Sequence, residues 1–150
     1  MRTVNYPLAL VATCIWIGFV CAISFMEAWL KFRAPGINLP LGLGIGRLVF
    51  NALNKVEWVL ALSIIMNVCF RKRPVMERFH VSFAVAFLIL LIQTVYALPE
   101  LDLRAELHIQ NLEVPPSNLH FYYIIMEFVK VICLFIFGIH LFKKSASCNL

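Results

Sequence analysis

Four long apolar runs, separated by short stretches rich in proline and charge, set the pattern of this chain. They fall at about residues 6–30, 48–70, 79–98 and 121–142. Each holds roughly 20 residues or more, enough to cross a ~30 Å hydrocarbon core as a helix rising 1.5 Å per residue. Prolines mark the breaks. Ala34-Pro35-Gly36 and Pro40 interrupt the first connection, and Arg71-Lys72-Arg73-Pro74 the second. Pro99 is expected to end the third helix, and Pro115-Pro116-Ser117-Asn118 precedes the fourth. Proline lacks an N–H and restricts the residue before it, so helices tend to stop there. The pattern predicts an all-α, integral membrane four-helix bundle, with residues 1–150 forming a single four-span transmembrane domain. Leu101 to Leu112, in the third connection, is expected to form a short amphipathic helix, with Leu103, Leu107 and Ile109 turned to the membrane or bundle.

Composition sharpens the class. The chain is 62% hydrophobic and 14% charged, whereas a soluble domain is about half apolar and about a quarter charged. So much apolar surface excludes a water-soluble fold and names the lipid bilayer as the first partner. The first run has no Ala-x-Ala-like cleavage site and continues to Leu30, so it reads as a retained span, not a signal peptide. The net charge of +5 comes from basic residues flanking apolar segments, which points to topology and anionic lipid, with no nucleic-acid partner. Arg2, then Arg71, Lys72, Arg73 and Arg78, then Lys143 and Lys144 share one side of a four-span chain. The opposite side carries Lys31, Arg33, Arg47 and Arg104 among acidic Glu100, Asp102, Glu106 and Glu113. The positive-inside rule therefore expects both termini in the cytoplasm. Trp29, Tyr96, Tyr122 and Tyr123 are expected at the outer interface, where amphipathic rings collect. The short chain and the absence of Asn-x-Ser/Thr favour a bacterial inner membrane. Cys14, Cys21, Cys69, Cys133 and Cys148 include no Cys-x-x-Cys pair, so no redox or zinc-ribbon pattern is present.

The chemistry lies where charge interrupts the runs. Glu57 is inside the second and Lys130 inside the fourth. A charge near the bilayer centre costs at least ~2.5–3.5 kcal/mol, so it needs a partner or a task. Counting at 1.5 Å per residue from Leu48 and from Phe121 places both about 13–14 Å deep, level with each other. Asn54 and Glu127 lie one turn nearer the outside, and Glu127 reaches Lys130 at i,i+3. Gln93 and Glu27 extend the set, with Asn51 and Lys55 less central. Glu27, Asn54, Glu57, Gln93, Glu127 and Lys130 thus form a polar pocket in the outer half of the bundle, above an inner half that is almost pure hydrocarbon. Two readings follow: a buried ion pair that fixes helix register, or a small-ligand or ion site open to the outer face. A carboxyl left without its lysine would hold a proton and could relay it.

Other patterns carry less. His80 and His140 lie near the cytoplasmic face on neighbouring spans, where a bis-histidine haem would need them, although interfacial histidines are the plainer reading. His108 and His120 lie at the outer side, but no Glu-x-x-His or His-x-x-x-His spacing supports a metal site. Leu41-Gly42-Leu43-Gly44-Ile45-Gly46 lacks the spacing and strand-to-helix context of a dinucleotide fingerprint. Its Gly42-x-x-x-Gly46 pair instead permits close backbone approach where the second span begins.

The stretch Phe25-Met26-Glu27-Ala28-Trp29-Leu30-Lys31-Phe32-Arg33-Ala34-Pro35, followed by Leu41-Gly42 and Arg47-Leu48-Val49-Phe50, resembles the transmembrane-protein-205-like group of small four-span membrane proteins. The resemblance implies a four-helix membrane bundle without an agreed activity, and it transfers no catalytic residue. The sequence as a whole leaves three function classes. The first is an accessory subunit of a membrane complex, or a small-ligand binder, partnered by other membrane subunits or by itself as a homo-oligomer. The second is a membrane enzyme or redox subunit acting on a lipid or quinone. The third is an oligomeric ion or proton transporter. No cofactor is specified.

Overall fold

The computed structural model describes residues 6–69, 78–110 and 112–147, with side chains except those of 69, 78–80 and 143–147. Arg2, Arg71, Lys72, Arg73, Pro74 and Cys148 lie outside the described residues, as do the side chains of Cys69, Arg78, His80, Lys143 and Lys144. Among the described residues every regular element is helical, and four helices are long and apolar enough to cross a membrane. The chain is an all-α integral membrane four-helix bundle. Helix α1 is Pro7–Arg33, α2 is Leu39–Cys69, α3 runs continuously through Arg78–Ile92, Gln93–Ala97 and Leu98–Ile109, and α4 is Leu119–Ser147. Around the bundle, α1 packs on α2 and α4, α3 packs on α4, and α2 meets α3 chiefly along Leu98–Ile109. The 33–39 and 109–119 connections share one end, called here the loop end. The other end is the terminal end.

The first connection is short because its sequence turns sharply. Ile37 N–H bonds to Ala34 O at 3.2 Å across Pro35 and Gly36, and Gly36 has φ +83°. Proline followed by a glycine at positive φ is the type II turn arrangement. Asn38 then caps α2, its Oδ1 accepting Leu41 N–H at 3.0 Å. Pro40 therefore falls in the first turn of α2, where its missing N–H costs nothing. The glycine-rich segment that follows is helical, so α2 begins well before residue 48.

Pro99 does not end the third helix. Its sequence signal is overridden by a π-type turn over Gln93–Ala97, where Leu98 N–H bonds back five residues to Gln93 O. The shift in register places Pro99 at the start of a fresh α-helical segment, so it acts as a first-turn proline. The amphipathic helix expected separately at Leu101–Leu112 is consequently the last segment of α3, Leu98–Ile109. Leu103 on it is exposed, while Leu107 and Ile109 are half-buried. A second π-type turn occupies Cys21–Glu27 of α1, with Ala28 N–H bonded to Ile23 O.

Two apolar cores result among the described residues. The larger fills the terminal half, where Trp16, Val20, Ala61, Ile64, Ala86, Leu90, Leu134, Phe137 and Leu141 are buried together. Rings interlock there: Phe83 lies 5.1 Å from Phe137, 6.2 Å from Phe87 and 6.5 Å from Trp16 between centroids. The smaller core, at the loop end, joins Ala97, Leu98 and Tyr123 to Phe50, Leu101 and Met126. Polar side chains occupy the level between the two.

Candidate functional site

Lys130 is the centre of that level. Its ammonium lies 2.5 Å from Glu57 Oε1 and 3.1 Å from Glu127 Oε2, and all three side chains are fully buried. It donates to Gln93 Oε1 at 2.6 Å and to Glu127 Oε1 at 3.2 Å. Gln93 Nε2 donates in turn to Glu127 Oε1 at 3.0 Å. Trp16 Nε1 donates to Glu57 Oε1 at 2.8 Å. Each helix thus supplies a member: Trp16 from α1, Glu57 from α2, Gln93 from α3, and Glu127 with Lys130 from α4. Glu127 and Lys130 are one turn apart on α4, and the i,i+3 spacing puts both on its inner face. Gln93 opens the π-type turn of α3, and such turns often sit beside functional groups.

The six residues read from the sequence divide into three groups. Glu57, Gln93, Glu127 and Lys130 meet in the cluster. Asn54 is buried nearby but bonds elsewhere: its Nδ2 donates to Thr94 Oγ1 at 2.9 Å, which also accepts Trp58 Nε1 at 3.0 Å. Glu27 lies towards the loop end, 3.4 Å from Lys31. At the centre of these six, Glu57, Gln93, Glu127 and Lys130 are bonded to one another. The open space lies next to it, towards the loop end, and none of the six lines it.

This cavity has a volume of about 260 Å³. Phe32, Leu43, Phe50, Leu98, Leu101 and Ala105 give it apolar walls, and Lys31, Arg47, Asp102 and His120 give it a polar edge. The glycine run shapes its side. A Cβ at Gly42 would collide with the Phe32 ring, and a Cβ at Gly46 would stand 2.8 Å from Lys31 Nζ. The two glycines therefore admit an aromatic ring and an ammonium from α1 against the α2 backbone. Lys31 Nζ also lies 5.6 Å from the Phe32 centroid and 5.5 Å from that of Phe50, within cation–π range. Across the cavity, Arg47 ties α2 to α3. It pairs with Glu106 and lies 3.6 Å from Asp102, which accepts Asn51 Nδ2 at 2.9 Å.

Tyr123 joins cavity and cluster. It was expected at the interface with Trp29, Tyr96 and Tyr122, which are exposed, but it is 1% exposed. Its ring belongs to the cavity lining. Its hydroxyl is buried without a hydrogen-bond partner, and Glu127 lies one turn along α4. Charge on the next turn explains the burial, because α4 must turn the face bearing Glu127 and Lys130 inward and Tyr123 shares that face.

Of the histidines, His120 lies at the cavity edge, and His108 and His140 are exposed. His140 Nδ1 lies 2.9 Å from Ile136 O on its own helix. The residues that sequence reasoning missed are Trp16, Trp58, Thr94 and the cavity lining. The tryptophans had a usable signal. Both sit in mid-span rather than at an interface, and a buried indole N–H requires an acceptor. No family model, curated protein or solved structure matches this chain.

Proposed function

We propose that this protein is a small-ligand-binding membrane protein, and that its ligand is an amphipathic molecule seated in the loop-end cavity. The observation that carries the reading is the cavity itself: aromatic and aliphatic walls with a polar edge of Lys31, Arg47, Asp102 and His120. Concave, mostly apolar sites with a few convergent polar groups are the usual form of ligand sites. The cations at the edge are already matched, Lys31 by Glu27 and Arg47 by Asp102 and Glu106. This balance favours a molecule with a neutral or dipolar head over a strongly anionic one. By the positive-inside rule the loop end faces away from the cytoplasm, so the ligand enters from that side or from the adjoining leaflet. The resemblance to transmembrane-protein-205-like proteins is compatible with this role and adds no substrate.

Native mass spectrometry of protein extracted in mild detergent tests the proposal. The expected result is a reproducible extra mass on the 17.2 kDa chain. Ala105→Trp, which fills the cavity, should lose it. Gly18→Leu, on a face with open space around it, should keep it. A bare chain under conditions that retain annular lipid would overturn the proposal. A co-purifying partner chain bound in its place would instead favour an accessory subunit.

A further inference from the structure

The charges of the buried cluster do not cancel. Lys130 brings one positive charge, and Glu57 and Glu127, when ionised, bring two negative ones. The other inward-facing groups on this level are neutral: Trp16 on α1, Asn54 and Trp58 on α2, Gln93 and Thr94 on α3, and Tyr123 on α4. Ser24, two turns from Trp16 towards the loop end, is buried and neutral as well. Of the further ions, Lys55 lies two residues from Glu57 on α2 but is exposed, and Glu27 with Lys31 and Arg47 with Asp102 and Glu106 are matched among themselves. A surplus charge in a dry, low-dielectric interior is strongly disfavoured, and such groups change protonation rather than stay unpaired.

Two atoms show where the compensation falls. Oε1 of each glutamate is satisfied, in Glu57 by Lys130 and Trp16 and in Glu127 by Gln93 and Lys130. Oε2 of each is buried without a hydrogen-bond partner. Glu127 Oε2 stands 3.1 Å from the ammonium but off the hydrogen-bonding direction. A buried carboxylate oxygen without a donor is costly, and a neutral carboxylic acid loses far less on leaving water than an ionised one.

We propose that the cluster is a proton-binding site: one proton, held on the Glu57–Glu127 carboxyl pair, makes it neutral, and Tyr123 stands between it and the loop-end cavity. The proton comes from water at the cavity and returns there. One O–H bond forms on a carboxylate oxygen as one breaks in the donor, with no change of oxidation state. Tyr123 stands between the two: its ring lines the cavity and its hydroxyl is buried without a hydrogen-bond partner, so water must move past that ring to exchange the proton. The inference holds whether or not the cavity binds a ligand.

Infrared spectroscopy of the purified chain in lipid nanodiscs tests it, with Glu57→Gln and Glu127→Gln as isosteric variants. In sodium-free buffer at neutral pH the wild type should show a carboxylic-acid C=O band that shifts in deuterium oxide. Each Gln variant should lose that band, because one carboxylate then faces one ammonium. Lys130→Met should roughly double its area, because two carboxyls then need protons. If one Gln variant fails to fold, the other carries the same test. No band in the wild type would overturn the proposal. A band that persists in the folded Gln variants would place the proton elsewhere and overturn it too. A band abolished by sodium at constant pH would show a cation site in its place.

Discussion

The terminal and loop halves of the bundle are built on different principles. In the terminal half, the buried positions are chiefly aliphatic or aromatic, with Thr13 bonded to Ala9 O on its own helix, and rings such as Phe83, Phe87 and Phe137 interlock. A membrane gives no hydrophobic drive to bring helices together, so close packing must hold this half. In the loop half, the helices are joined by Glu57–Lys130–Glu127, by Asn54–Thr94–Trp58 and by Arg47–Asp102. Both π-type turns also approach the loop end, in Cys21–Glu27 and Gln93–Ala97. Packing alone suffices where the helices are uniform. Directional bonds are needed where the backbone bends and a cavity opens. Polar groups in the loop half therefore specify geometry, whereas apolar groups in the terminal half supply contact area.

The sharpest way to break this contrast is Lys130→Met. The substitution removes the only cation of the buried cluster among the described residues and leaves two carboxyls facing each other. Breaking a buried pair by removing one partner costs roughly 3–5 kcal/mol, here because both carboxyls must then hold protons at neutral pH. Denaturant titration in detergent, followed by Trp emission, should show a loss of that size. That cost measures the stranded carboxyls and not the net worth of the cluster, since replacing all members by well-packed apolar residues can be neutral. An unchanged midpoint would mean that the cluster is not dry and that the two halves differ less than their geometry indicates.

A smaller effect belongs to Trp16, which stands on the border between the halves. Its ring packs in the terminal core beside Phe83, and its N–H serves Glu57. Trp16→Phe keeps an aromatic ring and deletes the donor. A buried acceptor left unmatched costs about 1–3 kcal/mol. The same titration should register a loss in that range, below the Lys130→Met value. A loss equal to that of Lys130→Met would show that ring volume, not the bond, is what Trp16 supplies.

How much of this was legible in the sequence depended on distance along the chain. Four helices could be read because twenty-residue apolar runs are local signals. Glu57 and Lys130 stood out because charge in such runs is conspicuous, and Glu127 followed from i,i+3 spacing. The partners of these residues were harder. Gln93 could be placed by depth, but Trp16 reaches Glu57 across 41 positions of sequence, and nothing local announces that bond. Pro99 misled because its usual effect was cancelled by a π-type turn beginning six residues earlier, and no residue there signals such a turn. The cavity was invisible for the same reason. It arises from a glycine pair on α2 and two α1 side chains, Phe32 and Lys31, whose meeting depends on the Pro35-Gly36 turn.

The smallest effect concerns Arg47, the clasp between α2 and the last segment of α3. Its partners Asp102 and Glu106 are partly exposed, so its loss should hardly move global stability. Its position gives it another role. Leu98, Leu101, Asp102 and Ala105 form one wall of the cavity, and their segment follows a π-type turn and a proline. Both features weaken the backbone ladder that would otherwise keep α3 straight. Arg47 and Asn51 hold the wall from across the gap. Arg47→Ala should therefore speed amide hydrogen exchange across Leu98–Ile109 while leaving Arg78–Ile92 and the terminal core unchanged. Local opening of this kind is what hydrogen exchange separates from global unfolding. Equal acceleration in both segments of α3 would mean that the helix behaves as one rigid unit, and the distinction between the halves would then rest on the buried cluster alone.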